Sequence, residues 1–152
     1  MSSSKRDKRE AECTSLAIEI FDAILAEFPT FRVERESGDF TSVEIRIPVQ
    51  PGIKFNCTLA LSNVDELGFG VGQFWDNWFP CTDQRVTDAY MKAVRGYLRG
   101  EFKVVEYCRR GRCVRAELLE PIGATWKRVS SYDLSLFLAF PLNESVREFR
   151  NV

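Results

Sequence analysis

Three glycines alternate with larger residues at the start of a stretch, residues 68–83, whose sequence is GFGVGQFWDNWFPCTD. Alternate side chains of a β-strand point to opposite faces, so a strand over 68–74 would carry Gly68, Gly70 and Gly72 on one face, followed by Phe74. That face would be almost without side chains, which indicates close approach by another part of the chain or by a ligand. We expect a helix to pack against it, with a ligand or partner surface as the alternative.

The glycines do not match a phosphate-binding motif. No Gly-Lys-Ser/Thr follows them, and their G-x-G-x-G spacing differs from the G-x-G-x-x-G of dinucleotide-binding folds. The sequence therefore predicts no nucleotide cofactor, and no other cofactor is indicated.

The aromatic residues that follow, Trp75, Trp78 and Phe79, are predicted to lie in a loop that leads into a helix. Tryptophan is enriched at binding hot spots, whereas bulky aromatic side chains more commonly pack in a core. Two interpretations stay open: the rings close one end of the core, or they form a contact surface with Asp76 beside them.

The remaining patterns predict an α+β fold. Amphipathic spacing predicts two helices, over 10–28 and 83–99. Alternating spacing predicts strands over 31–36, 41–49, 53–61, 68–74, 102–108, 113–119, 124–130 and 134–140. Asn143 is predicted to cap a short closing helix that ends near Phe149. We expect a largely antiparallel sheet of about seven or eight strands, packed against the two helices.

The chain has 152 residues, which is typical of one domain, and we expect residues 10–152 to form it. Residues 1–9 are polar and basic and are predicted to be a disordered tail or a frayed extension of the first helix. The balance of 21 basic and 22 acidic residues argues against a nucleic-acid binder. Apolar runs are too short to span a membrane and no signal peptide is evident, so a cytoplasmic location with free thiols is expected.

The chain contains no histidine. This excludes Ser-His-Asp and Cys-His catalysis within the chain and removes the commonest metal ligand. The composition therefore favours a binding protein over an enzyme, and we assign no catalytic residue.

Three cysteines invite a chemical interpretation. Cys81 precedes a predicted helix, whose dipole can favour a thiolate, although a small buried filler is the commoner role. Cys108 and Cys113 flank a hairpin tip, where they could form a disulfide or supply two metal ligands. Because C-x4-C lacks a second close pair, no metal site is predicted and unpaired thiols are expected. The tip itself concentrates the anion-binding candidates Arg109, Arg110 and Arg112, for which a solvated tip is the other interpretation.

The size, the α+β layout and the tryptophan-bearing stretch broadly resemble small bacterial immunity proteins and secretion chaperones, in coarse layout and without a shared motif. The leading hypothesis is a module that binds a protein partner through Phe74, Trp75, Asp76, Trp78 and Phe79. The alternative is a small-molecule binding protein or histidine-free enzyme with a pocket over strand 68–74. Its lining would include the glycines, Asp76, Cys81 and Tyr90. A homodimer joined by the tryptophans is a third hypothesis.

Overall fold

A computed structural model describes residues 2–36, 41–133 and 144–151 of the chain. Within these ranges the fold is α+β, as predicted, with two helices and nine strands. In chain order the elements are α1 (Ser2–Ala26), β1 (Glu34–Glu36), β2 (Thr41–Ile47), β3 (Cys57–Ser62), β4 (Glu66–Val71), β5 (Phe74–Trp78), α2 (Gln84–Leu98), β6 (Lys103–Arg109), β7 (Arg112–Ile122), β8 (Thr125–Asp133) and β9 (Glu144–Phe149).

The strands form two antiparallel sheets rather than the single sheet predicted. The first is a five-stranded meander in the order β1-β2-β3-β4-β5, and the second has the order β8-β7-β6-β9. Helix α2 separates the two sets of strands in sequence, so the chain leaves the first sheet after β5 and begins a new one. Strand β5 also contacts β7 and β8, which brings the two sheets together at this edge.

The core lies on one face of the first sheet, which we call the inner face. Ile45, Leu59 and Phe69 are cross-strand neighbours there and are fully buried. Both helices pack against this face, α1 through residues such as Phe21 and α2 through residues such as Val94. The amphipathic stripes that predicted the helices are thus the surfaces that they bury.

Helix α1 begins at Ser2, so the segment predicted to be a disordered tail is helical over residues 2–9. Lysine and arginine, which are good helix formers, make up four of residues 5–9, and no proline or glycine interrupts the segment. An ion pair of 2.7 Å between Arg9 and Asp65 ties this extension to the turn after β3. The extension of the first helix, rather than a free tail, is the arrangement observed.

The short helix predicted to end near Phe149 is wrong, because residues 144–149 form strand β9. This strand pairs along β6, with Phe149 opposite Val104. The Phe149 ring also meets that of Phe55 edge-on, with 4.7 Å between the ring centroids. Pairing with a distant strand therefore overrides the local signal for a cap. The strand predicted over 134–140 lies outside the described residues.

Asp83 is the N-cap of helix α2, since its carboxylate accepts a hydrogen bond from the Arg85 amide at 2.9 Å. Neither helix within the described ranges contains a segment apolar enough over a sufficient length to cross a bilayer.

Candidate functional site

The glycine stretch and the aromatic stretch form a hairpin rather than a strand followed by a loop. Strand β4 ends at Val71, and Phe74 begins β5 as its direct partner. Gly72 lies in the two-residue turn with a φ of +58°. Because the chain reverses there, Trp75 pairs with Gly70 and shares its face, whereas Phe74 lies on the inner face. The prediction that one strand over 68–74 places Phe74 on the glycine face is therefore wrong after the turn.

The Trp75 indole covers the face of β4 that has no side chains. A Cβ added at Gly68 or at Gly70 would lie 2.4 Å from an indole carbon, so neither position can carry a larger residue without moving the ring. The indole nitrogen donates a hydrogen bond to Asn77 Oδ1 at 3.2 Å, which fixes the ring orientation. The helix expected over these glycines packs on the opposite, inner face instead.

One row of residues crosses all five strands on this outer face. The registers place Glu34, Arg46, Thr58, Gly70 and Trp75 side by side in that order. Beside the row lies a groove of about 560 Å³, which we call the outer-face groove. Its lining includes Glu34, Glu44, Arg46, Pro48, Asn56, Thr58 and Trp75.

The outer-face groove is acidic at the end opposite Trp75. Arg46 donates to Glu44 at 2.9 Å and forms an ion pair with Glu36 at 3.6 Å. The hydrogen bond to Glu44, followed by the charges of Glu36 and Glu34, raises the pKa of Arg46. Three carboxylates therefore surround one guanidinium, which leaves a local excess of two negative charges.

Of the other predicted contact residues, Phe74 and Trp78 both lie on the inner face of β5, opposite Val71 and Leu67. Phe74 is buried, and Trp78 is half-buried with its ring 5.5 Å from that of Tyr90. Asp76 accepts a short hydrogen bond from the Ser130 hydroxyl, which joins β5 to β8. Phe79, at 60% exposure, follows the strand and precedes a cis proline. The five predicted contact residues do not form one surface: Phe79 is exposed to solvent, and Trp75 lines the outer-face groove.

The lining predicted for a small-molecule pocket is not brought together. Tyr90 lies beneath β4, where its hydroxyl donates to the Gly68 carbonyl at 2.8 Å. Cys81 is buried, and burial followed by contact with Cys13 raises the pKa of its thiol. The space above Gly70 belongs to Trp75, and Gly72 faces the second sheet through Glu106. A thiolate favoured by the helix dipole at Cys81 is therefore not the arrangement observed.

The arginine tip is tighter than predicted. Arg110 and Gly111 make a two-residue turn with φ values of +48° and +76°, and Arg109 pairs with Arg112 in the ladder. Arg112 lines a second cavity, which we call the inter-sheet cavity, of about 580 Å³.

Cys108 and Cys113 lie directly opposite each other in the hairpin ladder, one on each side of the predicted tip. They form no disulfide, and both thiols are free. The buried Glu106 carboxylate lies beside them, a neighbour that sequence reasoning missed. The signal that was available is its position, two residues before Cys108 in a predicted strand. Burial, followed by the charge of Glu106 and the proximity of Cys108, raises the pKa of the Cys113 thiol to about 11.

Comparisons with models of protein families, with curated proteins and with solved structures find no match to this chain. Its function must therefore be inferred from the geometry of its own residues.

Proposed function

We propose that this protein is a binding module that takes up a basic segment of a partner protein in the outer-face groove. The observation that supports this most directly is the seating of Trp75 on Gly68 and Gly70. One face of the indole rests on backbone, and the ring lines a groove that carries an excess of carboxylates. An aromatic face beside carboxylates is the chemistry that attracts lysine and arginine side chains.

The dimensions of the outer-face groove suit an extended peptide better than a compact ligand. Four strand spacings of about 4.8 Å separate Glu34 from Trp75, a span of about 19 Å. An extended chain advances about 3.3 Å per residue, so about six residues cover that span. A basic side chain over Trp75 and another near Glu34 would thus lie at the two ends of one short segment.

A second tryptophan, Trp126, has cationic side chains of the same chain against its ring. Lys103 lies 4.3 Å from the ring centroid of Trp126, and Arg150 lies 5.3 Å from it. Over the parts of the chain that the structure describes, no cation lies against the Trp75 ring. The Trp75 ring thus differs from that of Trp126 in having no cation of the described chain against it, and we propose that a partner's cation takes that place.

The proposal is tested with fluorescently labelled peptides of about six to eight residues, a length that spans the groove. Lysine- and arginine-containing peptides are compared with glutamate-substituted peptides of the same length by fluorescence anisotropy. We expect only the basic peptides to bind, and we expect affinity to fall with added salt. Trp75→Ala and the rim variant Glu44→Gln should each weaken binding, whereas the matched control Trp126→Ala should not.

Glu34→Gln and Glu44→Gln alter exposed or half-exposed side chains, so they test the groove without threatening the core. Basic peptides that bind no better than acidic ones would reject the proposal, as would unchanged binding by Trp75→Ala. A homodimer joined by tryptophans remains a separate prediction, and sedimentation at high protein concentration tests it.

A further inference from the structure

A second cluster of reactive side chains lies where the two sheets meet, away from the outer-face groove. The β6–β7 hairpin sets Cys108 directly opposite Cys113, and Glu106 precedes Cys108 by two residues. The two sulfur atoms and one carboxylate oxygen all lie within 4.8 Å of one another. Zinc holds thiolate sulfur at about 2.3 Å and carboxylate oxygen at about 2.0–2.2 Å, so tetrahedral ligand atoms lie about 3.6–3.8 Å apart. From separations of up to 4.8 Å, the ligand atoms therefore need to close by at most about 1.2 Å around such an ion.

The Glu106 carboxylate is oriented by a hydrogen bond, and among the described residues it forms no ion pair. It is 2% exposed, and its Oε1 accepts a hydrogen bond from the Gln73 amide at 2.7 Å. Glu117, also buried, differs because Arg115 and Arg128 form ion pairs with it. Among the described residues no basic side chain lies within ion-pair distance of Glu106. A buried carboxylate normally has a cationic partner or a metal ion, and this one has two thiols.

The cluster also has an open side. Glu106 and Cys113 form part of the lining of the inter-sheet cavity, together with Gly72, Arg112 and Arg147. Two thiolates and a carboxylate carry three negative charges, so a divalent ion would leave one. The two arginines in the lining offset that charge and would favour an anion or a hydroxide in the cavity.

We propose that Glu106, Cys108 and Cys113 bind one Zn²⁺ ion, with the fourth coordination position open to the inter-sheet cavity. Binding replaces the two thiol protons, which pass to solvent, with two Zn–S bonds. Thiolate ligands select Zn²⁺ over Mg²⁺ or Ca²⁺, which prefer oxygen. The hydrogen bond from the Gln73 amide to Glu106 acts as the outer contact that orients the carboxylate.

Cobalt reports on the site because it occupies zinc positions and absorbs when thiolates bind it. The full chain, reduced and freed of metal, is titrated with Co²⁺ under a phosphine reductant. One equivalent should produce a thiolate-to-cobalt charge-transfer band in the near ultraviolet, and Zn²⁺ should abolish it. Cys108→Ser and Cys113→Ser should each lose half of the band or more, and Glu106→Gln should weaken Co²⁺ binding at least tenfold. Cys57→Ala, which removes a buried cysteine outside the cluster, should leave the titration unchanged.

Because a cysteine variant could fail to fold, the unmodified protein supplies an independent measurement. One equivalent of Zn²⁺ should protect Cys108 and Cys113 from alkylation, as read by peptide mass spectrometry, and a chelator should restore their reactivity. The absence of a charge-transfer band, an undiminished band in Cys113→Ser, or a Cys108–Cys113 disulfide that persists in the reductant would each overturn the proposal.

Discussion

Two tyrosines seven residues apart on α2 offer a matched test of buried hydroxyl groups. Tyr90 and Tyr97 are both fully buried, and Tyr90 donates to the Gly68 carbonyl at 2.8 Å. The Tyr97 hydroxyl has no hydrogen-bond partner within the described ranges. We therefore expect Tyr90→Phe to lower the free energy of unfolding by about 1 kcal/mol, and Tyr97→Phe to leave it unchanged or raise it by about 1 kcal/mol. Urea denaturation of the two variants measures both, and equal losses would mean that the Tyr97 hydroxyl is partnered after all.

Arg110 occupies a backbone conformation that suits another residue better. Its φ of +48°, followed by +76° at Gly111, is the pattern of a type I′ turn, in which Asn-Gly is the preferred pair. Arg110→Asn should therefore raise the free energy of unfolding by about 0.5–1 kcal/mol. Arg112→Asn, a change of the same chemistry at a ladder position, is the control and should bring no gain. A loss of stability in Arg110→Asn would contradict the turn assignment.

At the scale of elements, the β4–β5 hairpin depends on a match between one small and one large residue. A methyl group at position 70 would meet the Trp75 ring at 2.4 Å. Gly70→Ala should therefore lower the free energy of unfolding by about 1–3 kcal/mol through overpacking. In a Trp75→Ala background the same change should cost much less, giving a coupling energy of about 1–3 kcal/mol in a double-mutant cycle. Additive effects would mean that the indole does not rest on the glycines.

Periodicity predicted most of these elements but not how the hairpin turns. The apolar stripes located both helices, and alternation located β1 to β4 of the first sheet, whereas β5 falls where a loop is predicted. Beyond Val71 the predicted faces of the side chains are wrong, because the prediction continues one strand through Gly72 and Gln73. Glycine followed by any residue is a known two-residue hairpin signal, and the φ of +58° at Gly72 fits its first position. The information was present in the sequence, but the alternation of glycines masked it.

Strand β9 could not be predicted in the same way. Residues 144–149 include three charged side chains and follow an asparagine, a pattern that favours a capped helix. Their partner, β6, lies about forty residues earlier in the chain, and that pairing decides the conformation. The preferences of the residues within 144–149 do not predict pairing with a strand so far away in the sequence.

At the scale of the whole molecule, the sequence pattern does not predict which parts of the two sheets contact each other. Glu106 in the second sheet accepts a hydrogen bond from Gln73 in a turn of the first. Alternation could place Glu106 on one face of a strand, but it could not say that this face meets Gly72 and Gln73. The candidate groove was partly predictable, since Trp75 was singled out, whereas its carboxylates were not, because they come from strands that neighbour it only after folding.

The response of stability to pH is a property of the whole chain and follows from its unusual composition. With no histidine, no side chain has an ordinary pKa between those of the carboxylates and the thiols, so stability should be nearly constant from about pH 6 to 8. Above that range the buried thiols matter. Burial raises the pKa of Cys57 from 9.0 to about 12, so its contribution is present in full below pH 9 and is lost as the pH rises toward 12.

The thiol of Cys57 can be isolated by comparing two truncations in the same core. In Cys57→Ala the loss of stability relative to the unmodified protein should shrink by about 1.4 kcal/mol for each pH unit above 9, because the variant has no thiol to ionise. Val71→Ala truncates a neighbour that does not titrate and that pairs with Cys57 across β3 and β4, so its loss should stay constant with pH. Urea denaturation at intervals from pH 7 to 10.5 measures both differences. If both variants keep a constant difference from the unmodified protein, the Cys57 thiol is not held neutral by burial in the folded state.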